Sequence, residues 1–93
     1  MGRRAAHLRI TGLVQGVGYR DWVMRKAGSL GLDGWVRNRV DGSVEAVIAG
    51  EDAAVGAMIE ACHTGPVSAD VVDVGATDWT QPIAPGFEIL RTV

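Results

Sequence analysis

An α+β sandwich, two helices laid on one face of an antiparallel sheet, is the fold this sequence predicts, and three observations carry the prediction. Apolar side chains recur with period two in some stretches and at i, i+3, i+4 and i+7 in others, which separates strands from helices. Their order along the chain is strand, helix, strand, strand, helix, strand. Between the two middle strand patterns stands Asp41-Gly42, the dipeptide that most strongly marks a tight hairpin. The chain's 93 residues, 47% of them apolar and with mean hydropathy +0.15, provide one small core, so one domain over residues 1–93 is expected.

Each element has its own signal. Ala6, Leu8 and Ile10 alternate with His7, Arg9 and Thr11, the pattern of a half-buried strand that ends at Gly12. Val23, Ala27 and Leu30 fall at i, i+4 and i+7 and predict a helix over residues 21–30, stopped near Gly31. Residues 35–40 and 43–49 are the two strands of the hairpin. A second helix opens on Glu51-Asp52, acids that suit a helix N-terminus, and buries Val55, Met58, Ile59 and Cys62 until Gly65-Pro66 breaks it. Residues 69–74 form another strand, residues 82–86 a loop, and Phe87, Ile89 and Leu90 a closing strand. This arrangement is the split βαβ, or ferredoxin-like, sandwich. Because that architecture hosts unrelated functions, the site has to decide.

Composition removes several classes. The opening Met1-Gly2-Arg3-Arg4 leads into no apolar signal region, no run is long enough to span a bilayer, and Ala6 stands where a myristoylation signal needs Ser or Thr. A cytoplasmic protein that touches no membrane is therefore expected. Lone Cys62 has no partner for a disulfide and no metal-type spacing, so it reads as a small buried apolar residue. Net charge is −2, which argues against a general nucleic-acid binder, and Trp35 stands without the aromatic neighbours of an RNA-recognition strand. Residues 20–39 nevertheless carry Arg20, Arg25, Lys26, Arg37 and Arg39 against Asp21 and Asp33, while nine acids from Asp41 onward face only Arg91. The positive end of the chain is the end that carries the motifs considered next.

The first is Gly12-Leu13-Val14-Gln15-Gly16-Val17-Gly18-Tyr19-Arg20, between the first strand and the first helix. Gly16 and Gly18 can take backbone angles closed to other residues, so successive N–H groups can converge on an anion, and a helix N-terminus and the Arg20 charge follow at once. The loop reads either as a phosphate cradle or as an ordinary connector. The third glycine of a dinucleotide fingerprint is missing, and no Gly-Lys-Ser or Gly-Lys-Thr of a P-loop follows. The second motif is Gly34-Trp35-Val36-Arg37-Asn38, leading into Gly42-Ser43-Val44 and Gly50. Asn38 is out of place in a strand. It is either a hairpin residue bonding the nearby turn or a fixed amide able to accept from and donate to a water. His7 faces outward by its alternation, His63 lies at a helix end, and Trp22, Trp35 and Trp79 read as packing, with Trp35 able to border the site.

Together the two motifs resemble the acylphosphatases. The first is similar to that family's Gly-x-Val-Gln-Gly-Val-x-(Phe or Tyr)-Arg loop at Gly12, Val14, Gln15, Gly16, Val17, Tyr19 and Arg20. The second is similar to its hairpin at Gly34, Trp35, Val36, Asn38, Gly42, Val44 and Gly50. Gly65-Pro66 with Ala69 and Val71, and the terminal Gly86-Phe87-Glu88-Ile89, extend the likeness over nearly the whole chain, residues 76–85 being the least typical part. The resemblance implies a hydrolase that cleaves an acyl phosphate to carboxylate and inorganic phosphate. In it Gln15, Gly16, Val17, Gly18, Tyr19 and Arg20 hold the phosphate and Asn38 places the attacking water, so that Arg20 and Asn38 are the catalytic pair. No cofactor, no metal and no nucleic acid is expected, and the partner is the small-molecule substrate of a monomer. The residue chemistry agrees: a carboxylate leaves without a general acid, and a loose phosphoryl-transfer transition state demands positioning and charge more than proton removal. A module that holds acyl or carbamoyl phosphate without turnover, and a nucleic-acid-binding sandwich, are the two other classes the sequence leaves open.

Overall fold

The computed structural model describes residues 2–93. Strand β1 (Arg3–Leu13) leads into helix α1 (Tyr19–Ser29), followed by the hairpin β2 (Asp33–Asn38) and β3 (Val44–Glu51). Helix α2 (Asp52–Cys62), strand β4 (Asp70–Asp78) and the short β5 (Phe87–Ile89) complete the chain. The sheet order is β4-β1-β3-β2-β5. It is antiparallel through its first four strands, and at the edge β5 runs parallel to β2, with Gly34 opposite Phe87 and Val36 opposite Ile89.

Period-two alternation turns Ala6, Leu8 and Ile10 of β1 and Val44, Ala46 and Ile48 of β3 toward the helices, where all six are fully buried. Tyr19, Val23 and Ala27 of α1 and Val55, Met58 and Cys62 of α2 close the core from the other side. Gly34 sits between β3 and β5 with φ +141°, and a Cβ there would run into the Val47 carbonyl oxygen, so the hairpin can only close on glycine.

Several boundaries differ from the sequence expectation, each for a physical reason. A β-bulge between Thr11 and Gly12 lets β1 continue to Leu13, which carries the chain to the sheet end where the loop begins. Helix α1 starts two residues early, at Tyr19, because the buried Tyr19 ring is the first member of its apolar stripe. Strand β2 ends at Asn38, and Val40, expected inside it, is 86% exposed on the turn. Strand β4 runs four residues past the expected end to Asp78, although its alternation is absent, because its ladder with β1 continues to Ala6–Asp78. The first three residues of the least typical segment, 76–78, thus belong to an edge strand, and the residue that follows them, Trp79, stacks on His7 on the face that the helices leave open.

Candidate active site

Residues 14–18 descend from β1 to the N-terminus of α1, with Gly16 at φ +73° and Gly18 at φ +80°. Gly18 is also the N-cap residue, its left-handed backbone starting the helix without a side-chain cap. The first helical bond runs from the Trp22 N–H to the Gly18 carbonyl at 3.1 Å. Among the described residues, no backbone N–H of residues 16–21 donates to a protein acceptor. Six donors are thus available at the positive end of α1, the arrangement that favours an anion.

Gly16, Gly18, Tyr19, Arg20 and Asp21 of this stretch line a concavity of about 220 Å³, whose wall Val14, Asn38 and Ile89 complete. Arg20 stands in the first turn of α1, half-exposed, and makes no ion pair among the described residues. Tyr19 also lines the concavity. Its ring is buried and its hydroxyl donates to the Cys62 carbonyl at 2.7 Å, tying the loop to the end of α2. Burial, with Cys62 beside it, raises the Tyr19 phenol far above its usual range, and burial pushes the Cys62 thiol up to about 11. Neither group can supply a proton acceptor near neutrality.

Across the cavity, Asn38 ends β2 on the same face as Gly34 and Val36, directed toward the loop. Its Oδ1 is buried and has no hydrogen-bond partner. The nearby turn does not use it, since Asp41 Oδ1 accepts there from the Ser43 N–H at 2.9 Å and from Ser43 Oγ at 2.6 Å. Of the residues expected to surround a phosphate, Gly16, Gly18, Tyr19 and Arg20 are on the wall together with Asn38, whereas Gln15 and Val17 are not. Val17 packs against the core, and the Gln15 amide is engaged on the β2–β3 hairpin. Ile89 and Asp21 line the cavity without having been singled out by sequence. Asp21 could have been suspected as the neighbour of Arg20, but Ile89 arrives through a parallel pairing with residues 53 positions away, which has no local signature.

The other face of the sheet separates several charges from this site. Arg37 and Arg39, part of the positive stretch in sequence, alternate away from Asn38 and converge with His7 on Glu45, at 3.2, 3.3 and 2.7 Å. The Arg37 Nε lies within ion-pair range of Glu45 but outside hydrogen-bond geometry. Arg37 also covers the Trp35 ring, 4.6 Å from its centroid, so Trp35 belongs to that face and does not border the cavity.

A split βαβ sandwich in which a loop and helix start with open N–H groups share one cavity with an unpaired guanidinium has, as a class, the features of a small anion-binding domain. Residues 6–89 match the acylphosphatase family model. An acylphosphatase of Rhizobium meliloti (strain 1021) is 54% identical over 90 residues, covering 96% of this chain and 95% of that one. The structure of an acylphosphatase from Coxiella burnetii superposes with TM-score 0.91 at 33% identity, over 95% of this chain and 93% of that one. HypF of T. kodakarensis, of whose chain only 11% is covered, gives TM-score 0.80 at 31% identity over 92% of this one. The chain belongs to the acylphosphatase family. Among the described residues no helix is long and apolar enough to cross a membrane.

Proposed function

We propose that this protein hydrolyses acyl phosphates to a carboxylate and inorganic phosphate, with Arg20 and the loop of residues 15–20 holding the phosphoryl group and Asn38 orienting the water. The observation that carries the reading is the opposition, across one cavity, of unsatisfied donors and an unsatisfied acceptor. The open N–H groups and Arg20 match phosphoryl oxygens, and the buried Asn38 Oδ1 matches a water hydrogen.

The reaction follows from that placement. A bound acyl phosphate presents three phosphoryl oxygens to the donors, which offset the charge spread over them in the transition state. Water, accepted at Asn38 Oδ1, attacks phosphorus in line as the bond to the acyl oxygen breaks, and the carboxylate departs as a stable anion. The water proton passes to a phosphoryl oxygen, so the chain needs no basic side chain at the cavity. Its contribution is entropy and charge, the two terms a preorganised backbone can supply. The enzyme works as a single domain and a monomer in the cytoplasm, with neither cofactor nor nucleic acid. Supporting the absence of a polyanion partner on the open sheet face, three of its cations, Arg9, Arg37 and Arg39, are paired with Asp41 and Glu45.

The test is release of inorganic phosphate from benzoyl phosphate by the purified protein. Turnover at a rate proportional to folded protein supports the reading. Saturable binding without phosphate release would instead make the chain a holding module, the alternative that the likeness to a small part of a much longer protein keeps in view.

A further inference from the structure

Gln15 lies in the middle of the cradle sequence, yet its side chain turns away from the cavity. Its Nε2 donates one hydrogen to the Arg39 carbonyl at 2.7 Å and the other to the Ser43 carbonyl at 2.8 Å. Both amide hydrogens are therefore committed, and neither is left for a phosphoryl oxygen. The two carbonyls lie on either side of the hairpin's turn, where the Arg39 N–H also donates to the Ser43 carbonyl at 2.9 Å. Arg39 directly follows Asn38 in the chain.

The hairpin does not depend on this bridge for its own closure. Six ladder pairs join β2 to β3, Asp41 binds Ser43 twice, and the Gly42 N–H bonds the Arg39 carbonyl at 3.1 Å. What nothing else supplies is a link between loop and hairpin: among the described residues, no other hydrogen bond joins residues 14–18 to residues 39–43. From this geometry we infer that Gln15 is a positioning residue, whose bidentate amide fixes the distance between the phosphate cradle and Asn38. The inference rests on the hydrolase reading above and changes one part of it, since Gln15 then acts on the water through Asn38 and makes no side-chain contact with phosphate. A planar amide suits the task, because two hydrogen bonds from one nitrogen set direction as well as distance.

The experiment has two arms. In the first, Gln15→Met keeps length and loses both donors, and Asp41→Ala serves as a control that loosens the same turn without touching the bridge. The expected result for Gln15→Met is a fall of about tenfold or more in kcat for benzoyl phosphate, with the inhibition constant for inorganic phosphate within about twofold of wild type. Asp41→Ala should lower the melting temperature and leave kcat in place. A raised phosphate inhibition constant with unchanged kcat would put the amide on phosphate and overturn the inference, as would a change in melting temperature alone. The second arm needs no variant. Titrating inorganic phosphate into wild-type protein should shift the backbone amide resonances of residues 16–21 and leave the Gln15 side-chain amide pair unmoved and slow to exchange. Movement of that pair together with the loop would refute the bridge. A wild-type protein that releases no phosphate would sink the hydrolase reading, a result separate from either resonance outcome.

Discussion

Arg20 is the one cation on the cavity wall, and no carboxylate of the described residues lies within ion-pair distance of it. A charge-assisted contact of a guanidinium with a phosphoryl group is worth about 1.5–3 kcal/mol, and more where water is excluded. Arg20→Ala should thus weaken inhibition by inorganic phosphate at least about tenfold and abolish turnover in a protein with unchanged circular dichroism. Arg20→Lys should restore neither, because a point charge does not reproduce the planar fork. Asn38 separates catalysis from binding. Its Oδ1 is buried without a partner, so Asn38→Ala removes no bond from the fold and should leave the melting temperature level or raise it. Losing the group that orients the water should cost on the order of 2.7–4 kcal/mol in the barrier, about a hundred- to a thousandfold in kcat, with the phosphate inhibition constant unchanged. A variant that melts early yet turns over normally per folded molecule would make Asn38 a hairpin residue. The sequence could pose that choice but not resolve it, because whether the amide or Asp41 caps the turn depends on side-chain direction at a strand end.

At the scale of elements, the β2–β3 hairpin shows what local signals can and cannot carry. Asp41-Gly42 located the turn correctly because its chemistry is contained in neighbouring residues. The extent of β4 was not legible, since residues 75–78 at the end of this edge strand are all exposed and carry no apolar alternation, and only the ladder with β1 defines its length. The turn also carries a pH dependence whose sign can be worked out. Bonds from the Ser43 hydroxyl and N–H, with Arg9 beyond them, hold the Asp41 carboxyl at about 2, below its ordinary 3.8. Because the folded value is the lower one, Asp41 stabilises the fold above pH 4, and that stabilisation disappears as pH falls from about 4 toward 2. Asp41→Asn should therefore melt below wild type near neutrality, and the gap should close over that acidic window in thermal melts monitored by circular dichroism. A gap that stays constant from pH 7 to pH 2 would assign the difference to turn geometry and not to charge.

Over the whole molecule, the site is assembled by topology from pieces that are far apart in sequence. The loop after β1, the end of β2 and the edge strand β5 meet at one end of the sheet because β1 and β2 are both antiparallel to β3, while β5 runs alongside β2. Two motifs of contiguous residues made the loop and Asn38 legible. Ile89 was not, because nothing near it in sequence specifies its parallel neighbour. Charge behaved similarly: the positive stretch of residues 20–39 divides in space, leaving Arg20 at the cavity while Arg37 and Arg39 are paired with Glu45 on the opposite face. The same division bears on metals. Among the described residues no three of His, Cys, Asp or Glu converge as a metal site, and on the cavity wall Asp21 is the sole carboxylate. A single carboxylate is a poor hold for a hard divalent ion, which calls for several oxygen ligands, and phosphoryl charge can here be met by N–H groups and a guanidinium instead. Turnover of benzoyl phosphate should consequently survive dialysis against excess EDTA with kcat unchanged, and added magnesium should alter the rate only as far as it complexes the substrate. If chelation abolishes activity and a divalent ion restores it in proportion to protein and independently of substrate concentration, the donors proposed here are insufficient and Asp21 becomes the first ligand to test.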